Sequence, residues 1–574
     1  MQAGRSTQAH QYLGTMNPRS ALLFSLALLT PHLHAQLFSW AAPIAGGGVG
    51  KAVAVDADGN VYSCGNVNGP VDFDPGPGEA LSPVGSGLNG DIYVVKYDNN
   101  GNYVWHYLVG GSSTDIAKNV AVDGNGDVVV TGTYNSFIDW DPGPGVVQPG
   151  VGNSDCFVLK ISAAGTFLWL QRITGTGTEE DHGVAVDAEN NVYVAGSSSS
   201  TVNFNEGSFS MPHAGGVWDG FYAKYSADGT FRWAKKIGGT GFQRGQSVAC
   251  AAQHVYVFGT CGGSTNANGT HDLTLPTTIY GTFLCKTDTA GNVLWLKAQT
   301  AAGNMTGEAV RTLADNVYLF ASFRGTVDAD PGAGVLELVP PAPNSPGTLF
   351  AKLDSSGNAL WAHQHQGNIH FDCVGDIAVD ASGGVAVTCA IAQTQDYDPG
   401  PGEAIYTPVQ PNDLFVARYT TDGALQWVRM ITTGETFDTA SGLAFDAADN
   451  VFMTGSFGDS AVFAPGPLAT IYSTNSSTAF TVKYGVDLTT GTPEALTADD
   501  LDLMPNPTSG WLTVTGAFER GDQLHVVDPT GRLVMRVAAE DHLMRLSLHG
   551  LPAGTYTLLW TGDRGPVGRR FVKM

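Results

Sequence analysis

Tryptophan recurs along this chain at a nearly constant interval, and that interval limits the folds the chain can adopt. Consecutive members of the series lie 62 to 66 residues apart: Trp40, Trp105, Trp169, Trp233, Trp295, Trp361 and Trp427. In the six copies after the first, a glycine lies four residues before the tryptophan and a lysine or arginine lies nine residues before it. A fixed period with several matched positions indicates repeated units that bury their apolar surface against their neighbours.

Each repeat unit contains two hairpin patterns. The first, exemplified by residues 53–62, has alternating apolar positions around an Asp-x-Asp-Gly-Asn turn, whose residues suit the positive φ angles of a tight hairpin. The second, exemplified by residues 91–105, has two strands around the turn at 98–102. Four strands per unit, A to D, match the composition of a propeller blade. The sequence therefore predicts an all-β, seven-bladed β-propeller with four-stranded blades.

The two ends of the repeat array predict how the ring closes. The seventh unit has strands A and B at 443–455 and strand C at 479–484, but no strand D follows. Residues 37–47, at the other end, align with the strand D segment 103–111. We therefore expect the N-terminal strand to complete the last blade, which would also remove exposed sheet edges. An open stack of seven β-units is the alternative.

The repeat resembles a known family. Its pattern is Asp-x-Phe-x-x-Lys, a turn glycine, Trp, Gly-Gly, then Ile/Val-Ala-Val-Asp-x-x-Gly-Asn-Val-Tyr-x-x-Gly. This pattern resembles the bacterial β-propeller repeat known as SBBP over about residues 37–486, although the fourth and fifth units depart from it at the first turn. The resemblance implies a propeller domain, to which we assign residues 36–486, and it implies no single activity.

The N-terminal segment predicts export. Residues 21–29 form an apolar run that follows Arg19 and is too short to span a bilayer, and Ala35 precedes the first repeat strand. We interpret residues 1–35 as a signal peptide. Because no other run reaches about 18 apolar residues, we expect no membrane span in the mature protein.

Residues 501–574 follow a polar linker, 487–500, and lack the repeat. Their short alternating strands predict a small immunoglobulin-like β-sandwich. The segments 505–510, 528–532, 551–556 and 569–573 resemble the type A sorting domain of the type IX secretion system in Bacteroidota. This resemblance implies that the secretion machinery is a partner of residues 501–574 and that the protein is secreted or held on the outer cell surface. An adhesive sandwich domain retained in the mature protein is the alternative.

The formal net charge of −25 is concentrated in residues 37–496, which carry −26. Because so acidic a surface repels phosphate backbones, we exclude nucleic acid and anionic membranes as partners. Cations, basic proteins and neutral glycans are compatible with it, and a surface kept acidic only for solubility is the alternative.

Paired aspartates in the long loops between strands B and C are the candidate metal ligands. The motif Asp-x-Asp-Pro-Gly-x-Gly occurs four times and supplies Asp72, Asp74, Asp139, Asp141, Asp328, Asp330, Asp396 and Asp398. Residues two apart in an extended segment face the same side, so each motif sets two carboxylates together, and calcium would stabilise such a pair. The alternative is a structural Asp-Pro-Gly turn in which the aspartates accept backbone N–H groups. The sequence predicts no other cofactor.

The sequence contains no HExxH, GxSxG or P-loop motif, and we predict a protein without enzymatic activity. The residues at the start of strand A differ between units, as at 114–115, 180–181 and 244–246, which argues against converging catalytic groups. We therefore expect a binding module whose long-loop face takes an extracellular glycan or protein. The alternatives are a lyase or glycosidase with a site at the propeller channel, and a rigid structural surface component.

Overall fold

The structure is a computed structural model. It describes residues 37–44, 46–76, 78–82, 90–135, 137–143, 154–276, 279–340, 345–366, 375–410, 412–434, 438–463, 470–472, 477–485, 501–504, 508, 510–516, 523–527, 533–538, 543–562 and 565–574. The predicted signal peptide, 1–35, and the predicted linker, 487–500, lie outside these residues. Apart from one 3-10 turn at Asn205–Gly207, the regular elements of the described residues are β-strands. The predicted all-β class is confirmed.

Seven antiparallel sheets contain the repeat units, and each has a core of four strands in the order A, B, C, D. We number the sheets in the order of their first strands. The first sheet contains β2 (Gly48–Val55), β3 (Val61–Val67), β4 (Asp91–Tyr97) and β5 (Tyr103–Val109). The second contains β6 (Ile116–Val122), β7 (Val128–Tyr134), β8 (Asp155–Ile161) and β9 (Phe167–Gly175). The third contains β10 (Glu179–Val186), β11 (Val192–Ser198), β14 (Asp219–Tyr225) and β15 (Phe231–Gly239).

The remaining four sheets repeat this order. The fourth contains β16 (Phe242–Ala251), β17 (His254–Gly262), β20 (Gly281–Asp288) and β21 (Val293–Ala301). The fifth contains β22 (Met305–Leu313), β23 (Asn316–Arg324), β26 (Pro346–Leu353) and β27 (Ala359–Gln366). The sixth contains β28 (Asp376–Val379), β29 (Val385–Ile391), β32 (Asp413–Tyr419) and β33 (Leu425–Thr433). The seventh contains β34 (Thr439–Phe445), β35 (Val451–Phe457), β38 (Thr478–Gly485) and, as its fourth strand, β1 (Leu37–Pro43).

The first strands of the sheets, which we call the inner strands, follow one another in a circle. Contacts join β2 to β6 and continue in turn through β10, β16, β22, β28 and β34, and β34 contacts β2 again. Strand B lies between strands A and C of its own sheet and is buried along most of its length. In β3 all seven residues are buried. The architecture of the repeat region is therefore propeller-like.

The two ends of the array meet as the sequence predicts. Strand β1 pairs antiparallel with β38, with Leu37 opposite Gly485 and Pro43 opposite Phe480. The pairing continues past the strand, because the N–H of Ile44 donates to the carbonyl oxygen of Ala479 at 2.8 Å. The N-terminal segment thus occupies the place of the missing strand D of the seventh unit.

The matched tryptophans and bases of the repeat hold each sheet to the next. The indole N–H of Trp169 donates to the carbonyl oxygen of Ala227, in the C–D turn of the following sheet, at 3.1 Å. The Nζ of Lys160 donates to the same oxygen at 3.3 Å and contacts Asp123 of its own A–B turn at 2.6 Å. Equivalent tryptophan bonds run from Trp40 to Asn99, from Trp105 to Ala163 and from Trp361 to Thr421. One tryptophan and one base therefore form the same link at several sheet junctions.

Four of the sheets contain six strands, so the prediction of four-stranded blades is wrong for them. A hairpin from the B–C loop of one unit pairs with strand D of the preceding sheet. These hairpins are β12 (Val202–Phe204) with β13 (Phe209–Met211), β18 (Ser264–Ala267) with β19 (His271–Thr274), β24 (Val327–Asp328) with β25 (Glu337–Leu338), and β36 (Ser460–Val462) with β37 (Thr470–Tyr472). Strands β30 (Gln395–Asp396) and β31 (Ile405–Tyr406) form a separate pair. The added strands cover part of an edge that would otherwise present unpaired backbone groups.

The C-terminal region consists of two sheets. One contains β39 (Leu501–Met504), β40 (Trp511–Gly516) and β43 (Leu543–Ser547); the other contains β41 (Gln523–Val527), β42 (Leu533–Ala538), β44 (Gly554–Gly562) and β45 (Gly565–Lys573). Both sheets contribute to one apolar cluster, with Leu512 and Leu546 from the first and Leu524, Trp560 and Phe571 from the second. Within the described part of the chain, no helix has the length and apolar character needed to cross a membrane.

Candidate functional site

Six of the seven inner strands are interrupted by a β-bulge, and the extra residue is polar in every case. The pairing with strand B shifts by one residue at each bulge, and the extra residues are Lys51, Lys118, His182, Gln246, Glu308 and Ser441. A bulge re-aims one side chain relative to the alternation of its strand, and bulges are common beside active sites. The repeated slip therefore orients one polar side chain per strand in a common way.

These six side chains line one cavity of ≈ 560 Å³. The sixth sheet contributes Asp376 to the lining, and the described pairing of its inner strand, Asp376–Val379, is regular. Because all seven inner strands surround this cavity, we call it the central channel. Its volume lies in the range of small-molecule pockets, about 300–1,000 Å³.

His182, which lines the channel, is held by a glutamate of its own strand, and an arginine of the fourth sheet contacts that glutamate. The Nε2–H of His182 donates to Oε2 of Glu180 at 3.1 Å, and Nη1 of Arg244 lies 3.3 Å from the same oxygen. The His182 hydrogen bond and the charge of Arg244 lower the pKa of Glu180 to about 2. Burial, and then the charge of Lys118, lower the pKa of His182 to about 4. At neutral pH the site therefore holds an ionised glutamate beside a neutral imidazole.

Two aromatic rings fix the position of Arg244. Its guanidinium lies 4.4 Å from the ring centre of Trp218 and 5.1 Å from that of Phe242. Such cation–π contacts hold a planar guanidinium in one orientation. Arg244 is thereby directed at Glu180.

A second ion pair lies on the next two strands of the circle, from the fifth and sixth sheets. Nη2 of Arg311 is 2.7 Å from Oδ1 of Asp376, and Oδ2 of Asp376 accepts the backbone N–H of Leu443 at 2.9 Å. Burial raises the pKa of the Asp376 carboxyl, and Arg311 opposes that shift. This pair links the fifth, sixth and seventh sheets across the channel wall.

The two lysines of the channel have a different environment. Neither Lys51 nor Lys118 has an ion-pair partner among the residues that the structure describes. Burial lowers the pKa of Lys51, and the nearby charge of Lys118 lowers it further. Two like charges therefore share a partly desolvated space, and the charge of Lys118 also helps to lower the pKa of Glu180 without an ion-pair contact between the two.

The eight predicted metal ligands lie in four separate loops and are not brought together. In the first loop, Oδ1 of Asp72 accepts the N–H groups of Asp74 and Ala80 at 3.0 and 2.8 Å, and Oδ1 of Asp74 accepts that of Gly76. Bonds from the N–H group two residues after the aspartate recur for Asp139, Asp141, Asp328, Asp330, Asp396 and Asp398, and Asp328 and Asp396 also accept the N–H group eight residues after them. No group of three or more metal-ligating side chains occurs among the described residues. Calcium binding by these loops stays a prediction.

The sequence did not predict the polar residues of the channel, because equivalent positions of the repeat units were expected to carry the same residue type. Residues that differ from one strand to the next, such as Lys118, His182 and Gln246, still converge because the bulge occurs at the same place in each strand. Residues at the start of strand A differ between units, and this difference does not prevent their side chains from lining the same cavity. The available signal was a polar residue at the repeat period with a small residue beside it, as in Gly50-Lys51-Ala52 and Gly307-Glu308-Ala309.

No model of a known protein family matches the chain. Among curated proteins, an uncharacterized WD repeat-containing protein of Acanthamoeba polyphaga mimivirus is 22% identical over 464 residues, which are 66% of this chain and 32% of that protein. The regulatory protein FlaEY of Caulobacter vibrioides is 27% identical over 178 residues, 30% of this chain and 17% of that protein. The chain thus spans a third or less of the length of these relatives. The similarity to a WD-repeat protein agrees with a propeller-like repeat fold.

Solved structures show partial similarity. A quinohemoprotein alcohol dehydrogenase of Comamonas testosteroni has a TM-score of 0.34 and 12% identity, with 83% of this chain and 79% of that chain covered. PorZ, a bacterial surface component of the type-IX secretion system of Porphyromonas gingivalis, has a TM-score of 0.22 and 9% identity, with 93% and 100% covered. A lignostilbene dioxygenase of Pseudomonas brassicacearum has a TM-score of 0.36 and 10% identity, with 76% and 92% covered. Scores this low carry no conclusion about function.

Proposed function

We propose that this chain is a secreted or outer-surface binding protein that holds an extracellular ligand, a glycan or part of a protein, in its central channel without chemical conversion. The observation that carries the proposal is the set of bulged polar residues, one from each of six inner strands, that line a single cavity. A bulge disrupts the strand ladder, and its recurrence beside a cavity supports a role in binding. A cavity of ≈ 560 Å³ fits a few sugar rings or one protruding side chain rather than a protein surface.

The proposed frame is a closed seven-bladed propeller followed by an immunoglobulin-like domain. Seven sheets with a common strand order, the circle of inner-strand contacts and the β1–β38 pairing support the ring. Two sheets of three and four strands around one apolar cluster support the sandwich. The SBBP resemblance, which concerns residues 36–486, is part of this proposal.

The proposed route of export rests on motifs alone. The signal-peptide pattern in residues 1–35 and the sorting-domain pattern in residues 501–574 together support passage through a type IX secretion system. Deleting residues 501–574 should leave the protein inside a Bacteroidota host that secretes the full chain, and cell fractionation would measure this. Equal secretion of the truncated chain would overturn the proposed route.

A second candidate function is a lyase or glycosidase acting in the channel. The contact of His182 with Glu180 favours it, because a neutral imidazole whose Nε2–H is held by a carboxylate keeps Nδ1 as an acceptor for a substrate proton. Asp376, whose carboxyl pKa is raised by burial, adds a carboxyl group to the same cavity. Product analysis separates this candidate from simple binding.

The experiment that tests the proposal is a binding screen of the full chain against extracellular glycans and peptides, with chromatography of the glycans afterwards. The variant Ser441→Trp places a large ring in the channel, and Thr230→Trp places the same ring on the exposed turn between β14 and β15. We expect at least one ligand whose affinity falls tenfold or more in Ser441→Trp and is unchanged in Thr230→Trp, without cleavage. Binding that Ser441→Trp leaves intact, or no binding at all, would overturn the channel assignment, and cleaved products would favour the enzyme.

A further inference from the structure

The described side chains that line the channel carry a net charge opposite in sign to that of the protein, with Lys51, Lys118 and Arg311 against Glu308 and Asp376. From its contacts we infer that the channel binds a small oxyanion, a carboxylate, sulfate or phosphate group of its ligand, between Lys51, Lys118 and Ser441. This inference rests on the proposed binding function and adds the chemical class of the ligand.

The three donors come from neighbouring strands. Ser441, Lys51 and Lys118 are the bulged residues of the seventh, first and second inner strands, which are consecutive in the circle of contacts. All three line the same cavity. Their strands are in contact, and the charge of Lys118 lowers the pKa of Lys51, which agrees with two ammonium groups near each other. An anion held between them would turn that repulsion into two attractions.

The acids at the channel are already engaged elsewhere. Glu180 contacts His182 and Arg244, Asp376 contacts Arg311 and the backbone of Leu443, and Oε1 of Glu308 accepts the Ser322 hydroxyl at 3.2 Å. None of these carboxylates is in ion-pair contact with Lys51 or Lys118. Lys51 and Lys118 are therefore lining cations that none of these three carboxylates contacts as an ion pair.

The hydroxyl of Ser441 independently indicates a ligand, because it is buried and donates to no acceptor among the described residues. Ser441 is 8% exposed, and its Oγ has no hydrogen-bond partner among the described residues. A buried hydroxyl without a partner is unfavourable, and a ligand oxygen would satisfy it. A serine hydroxyl with two ammonium groups is a donor set suited to oxyanions, because three donors can meet three oxygens of one group.

Two other polar side chains of the channel lining already form hydrogen bonds within the protein. The amide Nδ2 of Asn119 donates to the His182 carbonyl oxygen at 2.7 Å, and Oε1 of Gln246 accepts the Thr260 hydroxyl. The acidic surface elsewhere disfavours a polyanion. The ligand is therefore small or carries its anionic group on a neutral body, as an acidic or sulfated sugar does.

The test is calorimetric titration of the full chain at constant ionic strength with four probes: sulfate, inorganic phosphate, D-galacturonate and neutral D-galactose. We expect saturable binding of at least one of the three anions and no binding of galactose. Which anion binds most tightly distinguishes sulfate esters, phosphate esters and uronic acids as sources of the group.

Variants locate the site. Lys118→Met should weaken anion binding at least tenfold and Ser441→Ala severalfold, whereas Lys235→Met, which removes an equal charge outside the channel, should have no effect. Melting curves confirm that the variants are folded. Anion binding that Lys118→Met leaves unchanged would identify an adventitious ion only and would overturn the inference, as would the absence of binding by all three anions. If a neutral glycan binds and Ser441→Trp abolishes that binding while no anion binds, the proposed binding function stands and the oxyanion inference is wrong.

Discussion

The indole N–H of Trp40 donates to the backbone carbonyl oxygen of Asn99 at 3.1 Å. The Nζ of Lys483 reaches the same oxygen at 3.2 Å. A single turn of the first sheet therefore accepts one bond from the N-terminal strand and one from the last sheet. Elsewhere the tryptophan and the base of a junction come from consecutive strands of one hairpin, but here they come from opposite ends of the array, so this junction closes the circle of sheets.

The glycine four residues before each tryptophan should be required for packing as well as for backbone conformation. Gly101 has φ +84°, and a Cβ at this position would lie 2.7 Å from Cδ2 of Trp40. Gly69 has a similar φ of +90° but no heavy atom within 4 Å of such a Cβ. We expect Gly69→Ala to cost about 1 kcal/mol of unfolding free energy and Gly101→Ala about 2–4 kcal/mol, measured by urea denaturation. Equal losses would show that the contact with Trp40 contributes nothing.

A buried pair of acids should make the protein less stable at alkaline pH. Glu179 is fully buried, and burial together with the charge of Asp155 raises its pKa to about 7. Because this pKa lies above the unfolded value of about 4.3, the folded state holds the proton more tightly. The stabilisation is complete below that unfolded value and is lost as the pH rises through about 7.

The matching variant is Glu179→Gln, which keeps an acceptor for the Ser198 hydroxyl that now donates to Oε1 at 2.9 Å. At pH 8 it should raise the free energy of unfolding by on the order of 2 kcal/mol relative to wild type, and at pH 4 it should change little. Asp58→Asn, at an exposed position, is the control and should show no such pH-dependent gain. A Glu179→Gln effect that is the same at both pH values would contradict the shift.

The aspartates of the Asp-x-Asp-Pro-Gly loops should stabilise their turns. Oδ1 of Asp328 accepts the N–H groups of Asp330 and Leu336 at 3.1 and 2.9 Å. We expect Asp328→Ala to lower the free energy of unfolding by about 1–2 kcal/mol, because two backbone donors lose their acceptor. If the aspartates only stabilise the turn, Asp328→Ala should lose the same free energy of unfolding in the presence of EGTA and of calcium. A wild-type melting temperature that rises with calcium, and no longer rises in Asp330→Asn, would instead establish the calcium hypothesis.

Removing the charge of Lys51 should stabilise the protein while it weakens ligand binding. Burial and the charge of Lys118 both disfavour the ammonium form of Lys51. Lys51→Met keeps a long apolar side chain, so we expect its melting temperature to rise by a few degrees in the absence of ligand. Calorimetry or fluorescence-monitored melting would measure this. A lower melting temperature would indicate that Lys51 has a favourable structural partner.

Local patterns predicted the frame of the fold because each carries its own geometry. The Asp-x-Asp-Gly-Asn turns set the hairpins, and the lack of the strand D sequence pattern after residue 484 predicted the pairing of Leu37–Pro43 that the structure contains. No sequence pattern predicted the pairing of the β12–β13 hairpin with β9. This pairing joins different units through backbone groups, which every sequence possesses. The channel was missed for a related reason: a β-bulge is a property of a pair of strands, and it placed His182 and Gln246 together although neither residue resembles the other.

The overlap of the B–C hairpins with the preceding sheets has a consequence for any change in the number of repeats. Strands β18 and β19 belong to the fourth unit by sequence but finish the sheet of the third. An evolutionary duplication or an engineered excision that cuts just before strand A would thus strip a neighbour of its outermost strands. A segment that can be exchanged without this loss begins after such a hairpin, in the second half of a B–C loop. The structural unit of exchange is therefore offset from the sequence repeat that the tryptophans mark.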